Sequence, residues 1–355
     1  MDQYQAQRVA LLLQRWQTER TIGHPRLPCG QYNRISDVPG VSVGHQTLAQ
    51  AELQTGVTAI VPSSDNLFTH PLPCGAAVLN GFAKPAGLTQ IEELGQLQTP
   101  ILLGNTLAVG RMFSALVAHC KRANPQLGRQ QATVNPVVLE CNDGFLNDIQ
   151  NIAVSEAFAE QAIYQASAEF ARGSVGAGRG MSCFGLKGGI GTSSRRLESL
   201  AATLGVLVLA NFGSLSSLTL DGVVMGEAIA PHLPDLAAQR DAGSIIIIMA
   251  TDAPLSARQL KRVAKRAGAG LGRLGSYWGH GSGDIALAFS TAHSLGESIA
   301  DQDLEQMLCA AADATEFAVL DALMQATSVV GFEGHFRPAL AQLLDELAAQ
   351  FQEQS

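Results

Sequence analysis

Charge is scarce in this chain: only 15% of its 355 residues are Asp, Glu, Lys or Arg, against roughly 25% in ordinary soluble domains. Disorder needs the opposite deviation, so it is excluded for all but the tails. The charge present leans acidic, 31 carboxylates against 23 Lys and Arg for a formal −8, and such a surface repels nucleic acid. No apolar run approaches the roughly 20 residues a bilayer requires; the most apolar is Ile245 to Ala250. The start, Met1-Asp2-Gln3-Tyr4, lacks the basic region of a secretory leader, and Val9 to Leu13 is too short for its apolar stretch, so a cytoplasmic address is expected. There is no CxxC pair. Cys29, Cys74, Cys120, Cys141, Cys183 and Cys309 read as small buried hydrophobes, and no disulfide, metal or cofactor is expected. Motifs of common nucleophiles are missing too: no GxSxG, no HExxH, no kinase set. His45, after Val41-Ser42-Val43, reads as readily as a strand-end hydrogen-bonder as a base. With no histidine triad to point to, attention turns to hydrolases that need no histidine.

What the chain does have is apolar residues, 46%, and 36 glycines. Its length suggests two domains or one large fold. Residues 5–19 carry Val9, Leu12, Leu13 and Trp16 at helical spacing, an N-terminal extension over 1–30 packed on its own chain or docking a neighbour. Beyond it come short β-like runs: Val41 to Val43, Val57 to Val61, Ala76 to Leu79, Ile101 to Leu103 and Val137 to Glu140. Helices are expected over 106–121, 153–170, 257–267, 301–325 and 337–351. Val206 to Ala210 and Ile245 to Ala250 are continuously apolar, as strands buried on both faces must be. Two stacked sheets with helices outside satisfy these observations. Three glycine clusters, 173–180, 185–191 and 268–283, spell no nucleotide motif and are expected as tight turns lining a site.

One junction could supply a nucleophile without histidine, Asp241-Ala242-Gly243-Ser244 ahead of four isoleucines. Cleavage between Gly243 and Ser244 would make Ser244 an N-terminal residue whose own α-amine, with an ordinary pKa of about 7.7–8.0, serves as base. Gly-Ser before a strand is also a common turn. In Gly281-Ser282-Gly283-Asp284 the hydroxyl and carboxylate at i and i+2 project to one side of an extended chain, whether as a polar strand entry or as a pair holding an ammonium. Asn211, after Val206 to Ala210, can donate to an oxyanion or begin the turn Asn211-Phe212-Gly213.

Together these pieces resemble the L-aminopeptidase/D-esterase–amidase and β-aminopeptidase (DmpA-like) family of self-processing hydrolases with an N-terminal serine nucleophile. The resemblance runs from about Asn33 to about His293. It is carried by Ile35 to His45, Glu140 to Asp148, Lys187 to Arg195, Asn211-Phe212-Gly213, Gly243-Ser244-Ile245-Ile246, Ala250 to Leu255 and Gly281 to Asp284. It implies autoproteolysis at Gly243–Ser244, Ser244 as nucleophile, Ser282 and Asp284 as supporting hydroxyl and carboxylate, and Asn211 as oxyanion donor. Glu140 matches an acid of the family's site that meets the substrate ammonium. Position 284 is Asp where some members have Glu, and Asn142 stands where many relatives carry an aromatic, so substrate preference does not transfer. The implied fold is α/β (α+β), a four-layer αββα sandwich shared with ornithine acetyltransferases. One domain over 31–355 would be processed into chains 1–243 and 244–355, forming a tetramer-like homo-oligomer of αβ units. The implied activity is hydrolysis of the amide or ester bond after a free-amino N-terminal residue in a small substrate. An ornithine-acetyltransferase-like acyltransferase, whose usual nucleophile is threonine, and an unprocessed binding relative are the alternatives.

Overall fold

The computed structural model describes residues 2–234, 243–292 and 299–353; Asp241 and Ala242 of the junction, and His293, lie outside the described residues. Nine strands carry the fold: β1 (Ser42–Gln50), β2 (Leu53–Val61), β3 (Leu72–Gly81), β4 (Ile101–Asn105), β5 (Val137–Cys141), β6 (Gly189–Leu197), β7 (Ala202–Asn211), β8 (Ser244–Thr251) and β9 (Gly283–Ser290). The first sheet has the order β1-β2-β4-β5. The second runs from a two-residue edge strand, Gln96–Leu97, through β3, β9, β8 and β7 to β6. Only β4–β5 and β8–β9 pair in parallel within these sheets.

The layering explains the texture of the strands. Along β8, Ile246, Ile248 and Ala250 face the first sheet, meeting Val43, Ile60, Leu103 and Leu139. Ile245, Ile247 and Met249 turn the other way into a core built with α4 (Ala257–Ala264), α5 (Ala267–Arg273) and α6 (Glu305–Gln325). Strand side chains alternate between faces, so a strand covered on both sides needs apolar residues at every position. Each fully buried Ile contributes about 1.5–3 kcal/mol. On the far face of the first sheet, Val57, Ala59, Leu102 and Val138 pack against α2 (Val109–Ala123) and α3 (Glu156–Tyr164). The result is helices, sheet, sheet, helices. No described helix is long and apolar enough to cross a membrane.

Some expectations are corrected. The single helix expected over 257–267 is two, α4 and α5. Gly268 and Gly270 of the third glycine cluster belong to α5, and a Cβ at Gly270 would stand 2.5 Å from the Ala312 carbonyl of α6, so this glycine permits close helix packing rather than lining a site. Cys309 is exposed on α6 and Cys29 half-buried, whereas the other four cysteines are buried as expected. The N-terminal helix, α1 (Gln3–Glu19), packs on its own chain, its Trp16 Nε1 donating to Asp345 of the C-terminal α7 (Leu340–Glu353) at 2.9 Å.

Helix α6 is held to the preceding two-thirds of the chain by two carboxylates about two turns apart. Asp313 pairs with the Arg195 guanidinium of β6, both 0% exposed. Asp321 pairs with Arg172 at 2.6 Å and accepts from the Thr192 N–H at 2.9 Å. Burial raises the Asp321 pKa to about 6.

His45 is a structural hydrogen-bonder. Its Nε2 donates to the Ala171 carbonyl at 3.0 Å and its Nδ1 accepts from Thr58 Oγ at 2.9 Å. Burial lowers its pKa from 6.5 to about 4. The unfolded chain therefore takes up this proton first, and the associated stability, present above about pH 6.5, is lost as pH falls through about 4, some 3 kcal/mol in all. His45→Gln is expected to flatten the loss of urea stability across that window. An unchanged slope would remove His45 as its source.

Candidate active site

The register of the six-stranded sheet assembles the site. Asn211, last in β7, pairs with Ser244, first in β8; Ile245 pairs with Asp284 near the start of β9. Three distant segments thus meet at one end of the sheet's central strands, where Ser244 and Asn211 are 6% exposed and Ser282 and Asp284 only 1%.

Ser244 Oγ accepts from the Gly283 N–H at 3.1 Å. Ser282 Oγ donates to Asp284 Oδ1 at 2.6 Å, which spends the hydroxyl proton on the carboxylate and leaves the oxygen's lone pairs as acceptors. The Asn80 amide fixes this loop by donating to the carbonyls of Gly279 and Ser282. Asn211 Oδ1 accepts from the Ser182 N–H at 2.8 Å, and one of its two amide hydrogens goes to the Asn142 carbonyl at 3.0 Å. Gly243 has no room for a side chain: a Cβ there would lie 1.8 Å from the Asn211 carbonyl oxygen. The close backbone approach behind Ser244 accordingly demands glycine.

A cleft of about 640 Å³ opens beside this group, lined by Asn142, Phe145, Asn211, Phe212, Gly243 and Arg337 among others. Asn142 is exposed at its mouth, its Oδ1 accepting from the Gly144 N–H. Glu140 lies on β5 between Leu139 and Cys141, which face the inter-sheet core, so its side chain takes the opposite face. There it accepts from the Lys84 N–H at 2.7 Å and from the Thr106 hydroxyl. No described contact joins it to Ser244, and it is not among the described residues lining the cleft. The buried Cys141 thiol is pushed well above its usual range by burial, then by Glu140, Asp284 and Asp143.

Sequence reasoning brought together Asn211, Gly243, Ser244, Ser282 and Asp284, and missed the residues that hold them. Ser182 orients Asn211 through a backbone N–H, which no side-chain pattern reveals. Lys187, 0% exposed, donates from Nζ to the carbonyls of Gly178, Met181 and Gly188 and so fixes the loop that carries Ser182. Burial holds its pKa well below the usual lysine range. Lys187 opens the family-like stretch Lys187 to Arg195, but only its burial marks it out. Arg337 is remote in sequence and carried no signal.

Residues 33–337 match the model of peptidase family S58. The chain is 38% identical over 340 residues to the β-peptidyl aminopeptidase BapA of Sphingosinicella microcystinivorans, covering 86% of this chain and 85% of that protein. Among solved structures, the PH0078 protein of Pyrococcus horikoshii OT3 superposes with a TM-score of 0.86 at 42% identity, covering 94% of this chain and 97% of that one. The L-aminopeptidase D-Ala-esterase/amidase of Ochrobactrum anthropi, described as a prototype serine aminopeptidase and a variant of the Ntn-hydrolase fold, superposes with a TM-score of 0.82 at 34% identity, covering 93% and 98%.

Proposed function

The chain belongs to peptidase family S58 and is a hydrolase of the aminopeptidase/amidase type with the Ntn-hydrolase fold; on that premise we propose that Ser244 is its nucleophile, released as a new N-terminus by cleavage of the Gly243–Ser244 bond. The observation that carries this reading is the meeting of Ser244 with the Ser282–Asp284 pair and Asn211 at one end of the sheet's central strands. In processing, Ser244 Oγ attacks the Gly243 carbonyl carbon, the peptide nitrogen leaves as an amine, and water opens the resulting ester to a Gly243 carboxylate. In turnover the freed α-amine takes the Ser244 proton as Oγ attacks the substrate carbonyl, then returns it to the leaving amine, and water hydrolyses the acyl-enzyme. Ser282, its proton committed to Asp284, offers lone pairs that orient the amine. Asn211 donates to the oxyanion, a role whose loss costs about 10²–10³ in rate. By its match to the family's acidic residue, Glu140 is the carboxylate that would meet the substrate's ammonium, and Asn142 stands at the cleft mouth, within reach of the rest of the substrate.

The two chains, 1–243 and 244–355, would share one core, because β8 and β9 form the centre of a sheet flanked by β7 and β3 from before the cut. We place residues 1–30 outside that domain as an extension. A homo-oligomer of αβ units is supported by the exposed apolar side chains of Val78, Phe82 and Tyr277; light scattering that reads a single 37.3 kDa unit would remove it.

L-, D- and β-aminoacyl p-nitroanilides test the activity. Release of nitroaniline and a free amino acid without added acceptor is expected for at least one of them, as the resemblance to a β-peptidyl aminopeptidase suggests. Turnover only with an acyl acceptor would make the protein a transferase instead.

A further inference from the structure

The proposed reaction leaves one cleft residue without a task. Arg337, from the short strand Phe336–Arg337, is the charged side chain among the described residues lining the cleft, and it is 4% exposed. Its Nε donates to Ser182 Oγ at 3.0 Å, and its guanidinium carbon lies 3.6 Å from the centre of the Phe145 ring. Phe145 is in turn stacked on His335, ring centres 4.4 Å apart and planes within 10°, while His335 Nδ1 donates to the Phe145 carbonyl. The fork is therefore fixed on the cleft wall by an aromatic face and a hydrogen bond, with little rotamer freedom left to lose on binding an anion. Burial lowers its pKa to about 10, so it remains a cation at neutral pH.

Ser182 also places Arg337 relative to the chemistry. The same residue holds Asn211 by its backbone N–H and Arg337 by its hydroxyl. The guanidinium thus stands one residue away from the amide beside Ser244, in the cleft that Gly243 also lines. A planar fork here matches a carboxylate with two parallel N–H···O bonds. Each residue of extended chain advances about 3.3–3.6 Å, so only a carboxylate within one or two residues of the scissile bond stays near the cleft.

We propose that Arg337 is a specificity-determining residue that binds the free carboxylate of the leaving group, so that di- and tripeptides with an unblocked C-terminus are preferred over amides and longer peptides. This rests on the serine aminopeptidase reading and deepens it. Charge-assisted hydrogen bonds of this kind are worth about 10- to 100-fold in selectivity.

The test compares a dipeptide, the same dipeptide as its C-terminal amide, and the corresponding aminoacyl p-nitroanilide, each in L-, D- and β-alanyl form. The wild-type kcat/KM for the free dipeptide is expected to exceed that for its amide by about 10- to 100-fold. In R337Q the ratio is expected to fall toward one, and in R337K to settle between. Because the ratio is taken within one preparation, any general loss transmitted through Ser182 to Asn211 cancels. A wild-type ratio near one with the anilide still cleaved overturns the carboxylate site and leaves the aminopeptidase standing. A wild-type preference that survives in R337Q overturns the assignment to Arg337. No cleavage of any of the three removes the aminopeptidase reading, and this inference with it.

Discussion

Ser244→Ala is expected to run as one band of 37.3 kDa, where the wild-type protein resolves into bands of about 25 and about 12 kDa by proportion of length. The smaller wild-type band should begin Ser-Ile-Ile-Ile. Both consequences stem from one atom, because the same Oγ would open its own peptide bond and later the substrate's. Turnover should fall by about 10⁴–10⁶, the scale on which removal of a sole nucleophile acts. The fold should survive, since Ser244 makes one described side-chain bond, to the Gly283 N–H, and its strand is held by Ile245 to Ala250. An intact wild-type chain that hydrolyses the anilides, or a new N-terminus other than Ser244, would contradict the mechanism. So would unchanged hydrolysis by Ser244→Ala.

Asp313→Ala is expected to lower stability by about 3–5 kcal/mol, because removing one partner of a buried pair strands the other charge away from water. Arg195 is 0% exposed, and its other described contacts, Ser193 Oγ, the Ser194 and Asp313 carbonyls, Asn33 Oδ1, Cys29 Sγ and the Phe317 ring, are all neutral groups. Asp313 also accepts from the Arg26 N–H, so a backbone donor would be orphaned with it. For a chain of 355 residues the melting temperature should drop by roughly 4–7 °C. The exposed Lys261–Glu92 pair is the contrast, and Glu92→Ala should change the melting temperature little, since solvent already screens it. Arg195 precedes the proposed cut and Asp313 follows it, so in the processed protein this pair would join two chains. Melting of Asp313→Ala within about 2 °C of wild type would mean that Arg195 is not stranded by the loss and would overturn this prediction.

Much of this molecule is legible without coordinates. The isoleucines of β8 and the apolar run of β7 announce strands covered on both faces, since only such a strand tolerates apolar residues at every position. Helix ends were less legible. At 257–273 apolar periodicity continues from α4 into α5 although the chain bends between them, and no proline marks the change. The glycines of α5 mislead in the same region, because glycine signals close approach without saying to what.

The sequence by itself determined that Val206 to Ala210 and Ile245 to Ala250 are strands buried on both faces, and it set Gly243 before Ser244 and Ser282 two residues from Asp284, all properties of a few adjacent residues. Only the tertiary structure decided that Asn211 pairs with Ser244 and Ile245 with Asp284, that Ser182 and Lys187 hold Asn211 in place, and that Arg337 enters the same cleft. The reason is physical. Burial and backbone preference act along neighbouring residues and leave a pattern there, whereas strand register and the backbone groups that complete a site are set by contacts between segments that no local pattern links.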